Sequence, residues 1–389
     1  MKNRISLPFR RFSLSHASPV FSACAALILF ATLFPVLAVA QDSQWVRPVK
    51  SGDPLVWGRR DGIVFGLFSP GGIKGPRGLI RIGLFTPGNN EPQLLNFIAV
   101  EPVTQGPGQR FDRMAFSEME MSVLDPGLRG KRMWVHPENG DNKDFSAGTL
   151  ETLHVGDATL ERLSVRIDVE KFTHNGAHVY VVASIDSNQP SQLRLSTFAE
   201  SDSPPIEELA LTATMGNYER LRLLWLKDRV VDSRELFANY PWPLHWRLET
   251  GDDFAEKENY PLPEMLRTGD GDAIVFCTSS EPDPGKTPGN DSAHWPYRLP
   301  KLTQYWLVPG YDVQPDLRVR VNARHTYWAS TAPVLGGVAF ENFEVRQRYV
   351  SGQTFIFGIT PQEPWVFYHG SSHLSPFKTG KPQVTEMTH

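Results

Sequence analysis

Three groups of side chains in this sequence have the types and spacing to do chemistry. In the run 116–123, Met119, Met121 and Val123 alternate with Glu118 and Glu120, so a strand would set the two carboxylates on one face. Residues i and i+2 of a strand stand about 7 Å apart, a separation of the order that suits acid/base hydrolysis of a glycosidic bond. A solvated strand face would show the same pattern, with Arg113, Arg129, Lys131 and Arg132 near in sequence to offset the like charges.

The second group centres on Glu341. The stretch 337–359 reads as one antiparallel hairpin turning at Ser351–Gly352. Strict alternation would put Ala339, Glu341, Phe343 and Val345 on one face and Val338, Phe340, Asn342, Glu344 and Arg346 on the other. A carboxylate on an apolar face must reach a partner, reach solvent in a cleft, or carry a raised pKa. In a cleft Glu341 would be a proton donor; sealed in the core it would pair with an arginine.

The third is the loop 279–300, long enough without regular structure to suggest function. It ends in His294, Trp295 and Tyr297, with Lys301 and Tyr305 close behind. Aromatic faces with polar rims suit stacking on sugar rings, and they would equally pin a loop to its scaffold. The glycine-rich segment 69–78, with Lys74 and Arg77, could hold an anion on backbone N–H groups and two cations. It links strand to strand, which excludes a nucleotide P-loop. An elimination on a uronic-acid polymer would use Tyr297 or His294 as base and Arg77 or Lys301 against the sugar carboxylate. Arg132 joins the substrate-binding set.

Other chemistries find little support. His174 and His178 flank Asn175–Gly176, which would turn their rings to opposite sides of a hairpin, and no acidic run fits a calcium loop. No G-x-S-x-G elbow and no Cys/His pair is present. Neither a metal nor a cofactor is expected.

These residues need short strands to position them, and the sequence supplies little else. Asp61–Gly62 separates two β-rich runs, and Asn175–Gly176 separates 160–170 from 178–185. In the first of those, Leu163, Val165, Ile167 and Val169 alternate with Arg162, Ser164, Arg166 and Asp168, so one face is wet. Further strands are expected at 79–85, 94–103, 114–123, 192–199, 208–214, 221–226, 273–278, 303–308 and 317–321, with short helical turns at 231–238 and 262–267. Many short strands punctuated by turns mean an all-β sandwich, jelly-roll-like. The turn 201–205 suggests two packed lobes, 41–205 and 206–370, followed by a polar tail 371–389; one large extended sandwich is the alternative.

The first forty residues read as an export signal: Lys2, Arg4, Arg10 and Arg11, then an apolar run 20–39, then Ala38–Val39–Ala40 before a cleavage point. Their removal takes four basic and no acidic side chains, moving the formal net charge from −4 to −8. That balance argues against a nucleic-acid partner, and no membrane association is expected once the signal has gone. Cys277 is then the one remaining thiol, in a run that reads as a buried strand, so the core must hold without an intrachain disulfide.

The expectation is thus an exported protein, periplasmic or extracellular, that acts on polysaccharide or oligosaccharide as a glycoside hydrolase or polysaccharide lyase. Glu341 would be the acid, Glu118 or Glu120 the base or nucleophile, and Trp295 and Tyr297 the lining of the subsite. A non-catalytic glycan-binding protein and a structural envelope protein are the rivals.

Overall fold

Leu163, Val165, Ile167 and Val169 are all buried, and the residues between them are more exposed toward the strand's start, as an alternating strand on a core requires. The same logic repeats along the chain. In the computed structural model the described residues are 44–68, 76–104, 119, 130–135, 146–156, 158–239, 258–286, 296–327 and 332–370.

The strands are dealt alternately to two sheets. β1 (Trp45–Val46), β2 (Val56–Arg59), β3 (Ile63–Gly66), β4 (Ile80–Leu84) and β5 (Gln93–Thr104) form a meander in the first sheet. β6 (Met133–Trp134), β7 (Thr149–Val155), β8 (Ala158–Val169), β9 (Val179–Asp186) and β10 (Gln192–Ala199) belong to the second. β11 (Ile206–Ala213) returns to the first sheet, and helix α1 (Gly216–Glu219) leads back out of it to β12 (Leu221–Trp225) and β13 (Val230–Asp232). Helix α2 (Ser233–Leu236) follows, with the Asp232 carboxylate accepting from Arg234 N as its N-cap. β14 (Asn259–Pro261) then joins the first sheet, and β15 (Leu266–Arg267), β16 (Ala273–Ser279) and β17 (Thr303–Val308) the second. β18 (Arg318–Arg324) and β19 (Ala339–Arg348) go to the first, β20 (Thr354–Thr360) to the second, and helix α3 (Pro364–Gly370) closes the described chain.

Among the described residues the first sheet has nine strands in the order β1-β2-β3-β4-β5-β11-β19-β18-β14. The second has eleven, β13-β12-β16-β17-β20-β10-β9-β8-β6 with β15 on β16 and β7 on β8. Among the described residues every pairing is antiparallel, and the two sheets pack on one continuous apolar core that includes Ile98, Leu211 and Val345 from the first and Val165, Trp306 and Phe357 from the second. The fold is an all-β sandwich.

Three expectations need correction. The turn 201–205 is not a boundary between lobes. It carries the chain from β10 in one sheet to β11 in the other, while β5 bonds β11 and β10 bonds β20 across it, so strands from both halves interleave in both sheets. Second, β19 and β20 are not a hairpin, because they lie in different sheets. The turn between them is pinned sideways: Gly352 N donates to Thr197 O at 2.9 Å, Ala199 N donates to the Tyr349 hydroxyl at 2.7 Å, and Thr354 N donates to Asp312 Oδ2 at 2.9 Å. Turn chemistry is local and does not say which edge the outgoing strand will join. Third, the alternation of β19 breaks. Asn342 pairs with Asn322 but Phe340 pairs with Ala323, so Glu341 is the extra residue of a bulge and Phe340 joins Phe343 and Val345 in the core.

Candidate active site

In the middle of the nine-stranded sheet, β5, β11, β19 and β18 lie side by side. Val100, Leu211, Val345 and Val319 point into the core, so their neighbours along each strand face away from it. On that outer face Ala99 stands opposite Thr212, Thr212 opposite Glu344 and Glu344 opposite Arg320. One step along, Glu101 stands opposite Ala210, Ala210 opposite Arg346 and Arg346 opposite Arg318. Four strands far apart in the chain thus assemble one polar patch.

At its centre the Thr212 hydroxyl lies 3.3 Å from Glu101 Oε2 and 3.2 Å from Glu344 Oε2. A hydroxyl has one proton, so it can donate to only one of the two carboxyl groups at a time. Two contacts on one atom also put those carboxyl oxygens no more than about 6.5 Å apart, a ceiling that admits the roughly 5–5.5 Å of an acid and nucleophile pair. Glu101 is 5% exposed and Glu344 2%, and Thr212, Arg320 and Arg346 are buried as well. Charges so placed interact through little water, which strengthens both attraction and repulsion.

Arginines flank Glu344. Arg346 Nη1 lies 4.0 Å from Glu344 Oε1, and its Nε donates to Glu208 Oε2 at 2.7 Å. Arg318 Nη2 takes the other Glu208 oxygen at 2.7 Å. Burial works against the Glu208 carboxylate, but Arg346 and Arg318 outweigh it and hold its pKa down to about 2. Glu341, on its bulge, meets Arg324 Nε at 3.1 Å and is almost wholly buried. Of the three outcomes open to it, it has reached a partner.

The remaining candidates are dispersed. Arg77 and Arg132 are joined by a β-bridge, with Arg77 Nη1 3.7 Å from Glu170 Oε2 and Arg132 N donating to that same oxygen at 2.9 Å. Lys301 Nζ donates to Glu363 Oε1 at 3.0 Å. Tyr305 lies buried on the outer face of the eleven-stranded sheet, beneath Phe367 of α3, with Gln192 Nε2 donating to its hydroxyl at 3.1 Å. Tyr297 is buried and its hydroxyl donates to Pro300 O at 2.9 Å. Its ring helps to wall a cavity of about 690 Å³ beside β2–β4. Glu118, Glu120, His294, Trp295 and Lys74 lie outside the described residues.

Glu101 and Glu344 escaped the sequence reading. Glu101 carried a usable signal, being the one acid in the twelve apolar-rich residues of β5, the same anomaly that drew attention to Glu341. Glu344 alternates with Phe343 and Val345 as an ordinary outward residue would, and nothing local shows that β5 will come within reach of it.

No family of known proteins matches the chain by sequence, and no curated protein matches it. The solved structure of a candidate mutarotase, YeaD, from Salmonella typhimurium aligns with 80% of this chain and 96% of its own, at 9% identity and a TM-score of 0.19. So loose a superposition carries no argument about function.

Proposed function

We propose that this chain is an exported carbohydrate-active protein that cleaves glycosidic bonds, with Glu101 and Glu344 as its working carboxyl pair. The observation that carries the reading is their sharing of the Thr212 hydroxyl. One carboxyl would protonate the leaving oxygen while the other attacks the anomeric carbon or activates water. Thr212 would hand its hydrogen bond between them as charge moves from one to the other. The basic start, apolar run and Ala38–Ala40 pattern support export with cleavage near Ala40. Hydrolysis is favoured over elimination because Tyr297, a base that elimination would use, is turned inward onto Pro300 O.

The burial of both carboxyls favours one rival, a glycan-binding protein whose acids only brace the sheet. A panel of neutral and acidic polysaccharides separates the two readings, with reducing ends followed for hydrolysis and ultraviolet absorbance for elimination. Cleavage should appear, and Glu344→Gln and Glu101→Gln should each lower kcat by roughly 10²–10⁴-fold, with a retained near-ultraviolet dichroism signal showing that the variants still fold. Retention on a polysaccharide gel without cleavage of any polymer would establish the binding protein instead.

A further inference from the structure

The cavity beside β2–β4 has a wall that is mostly apolar, with Leu55, Val56, Val64, Leu67 and Leu94 among its residues. Its ionisable side chains, among the described residues, are Asp53, Arg81, Tyr218, Tyr297 and Arg298. The acid is turned to its own backbone: Asp53 Oδ2 accepts from Val49 N at 2.8 Å and from Lys50 N at 3.0 Å. The two arginines differ in setting. Arg298 is exposed at the rim, whereas Arg81 is half-buried, its guanidinium 3.6 Å from the Phe68 ring centre and 5.6 Å from that of Phe97. A guanidinium stacked on an aromatic face keeps its N–H donors in one plane, and a carboxylate can meet that plane edge-on.

The cavity and the candidate active site are related through β5. Arg81 stands opposite Phe97 in the β4–β5 register, and Phe97, Ala99 and Glu101 follow one another on the same face of β5. Four residues of strand span about 14 Å, so Arg81 and Glu101 are separated by a distance a short oligosaccharide can bridge.

We infer that this cavity is a subsite for an acidic sugar, taking the apolar face of the ring on its aliphatic and aromatic wall and the carboxylate on Arg81 and Arg298. The substrate class follows as a uronic-acid-containing polysaccharide, held by one residue here while a bond nearer the reducing or non-reducing side lies over Glu101 and Glu344. This rests on the proposed glycosidic cleavage for its second half only; the binding half stands by itself.

The experiment is calorimetric titration of the full chain with a short oligogalacturonate and with its carboxyl-reduced, neutral counterpart. The acidic ligand should bind about tenfold or more tightly than the neutral one, with an advantage that shrinks as salt is raised. Arg298→Gln, at an exposed position that folding tolerates, and Arg81→Gln should each erase most of that preference while leaving the neutral ligand's affinity within about twofold. Equal affinity for the two oligosaccharides, or a preference that survives in both arginine variants, overturns the subsite. An acidic preference without cleavage of any polymer would retain the subsite and remove the cleavage reading. Cleavage of neutral polymers with no acidic preference would do the reverse.

Discussion

Glu219 is a titratable side chain in the least accessible of positions. It is fully buried between the sheets, where Leu302 N donates to Oε1 at 2.7 Å and Gln304 Nε2 to Oε2 at 2.6 Å. Gln304 accepts in turn from Asn96 Nδ2 at 2.7 Å, so a polar relay crosses from one sheet to the other. Burial pushes the Glu219 pKa up from 4.5 to about 8, against the pull of those two donors. The folded chain therefore keeps a proton that the unfolded chain has lost between about pH 4.5 and about pH 8, and stability must fall as pH rises through that window. Urea unfolding across that range should show the decline. Glu219→Gln should remove the slope while costing about 1–3 kcal/mol at the acidic end, because two amide nitrogens would then face each other. Glu208 has the opposite sign: with its pKa held down to about 2, its stabilisation is present above its unfolded value and is lost as pH falls toward that figure. Cys277 is simpler. Burial, with Glu219 nearby, drives its thiol pKa well up, and a buried thiol is inert. A thiol-reactive dye should label it only after denaturant is added.

At the scale of elements, the bulge at Glu341 and the corner at 349–353 decide which side chains meet. The bulge restores Phe340 to the core and leaves Glu341 against Arg324. Arg324→Met should therefore destabilise by roughly 3 kcal/mol, because it deprives a buried carboxylate of its cation. Adding Glu341→Met to it should recover most of that loss, which chemical denaturation of the single and double variants will measure. Further along, β20 passes so close to β17 that a side chain at Gly358 would meet the Tyr305 ring, its Cβ 2.0 Å from Cζ. Gly358→Ala should cost about 1–3 kcal/mol for that reason, read from the same unfolding curves.

For the molecule as a whole, the interleaving of strands makes the two halves interdependent. Fragments 41–205 and 206–370 would each expose the edges at which β5 meets β11 and β10 meets β20. Neither should fold alone, and circular dichroism of the separate fragments should lack the near-ultraviolet signal that the full chain shows. A cooperative transition in either fragment would restore the two-lobe division. Among the described residues no helix is long and apolar enough to cross a membrane, and the longest is the seven-residue α3.

The strands themselves were legible in the order of amino acids. β8, β16 and β17 lie where alternation or apolar runs put them, and Asp61–Gly62 turns β2 into β3 as its chemistry demands. Strand identity depends on neighbours in sequence, whose side chains and turn residues act within a few ångströms along the chain. Which strand pairs with which does not. Glu101, Thr212 and Glu344 are brought together by two ladders joining residues more than a hundred positions apart, and those pairings follow from how two whole sheets bury their apolar faces against each other. Composition and period chose the sandwich; only the closed core chose the company that each carboxylate keeps.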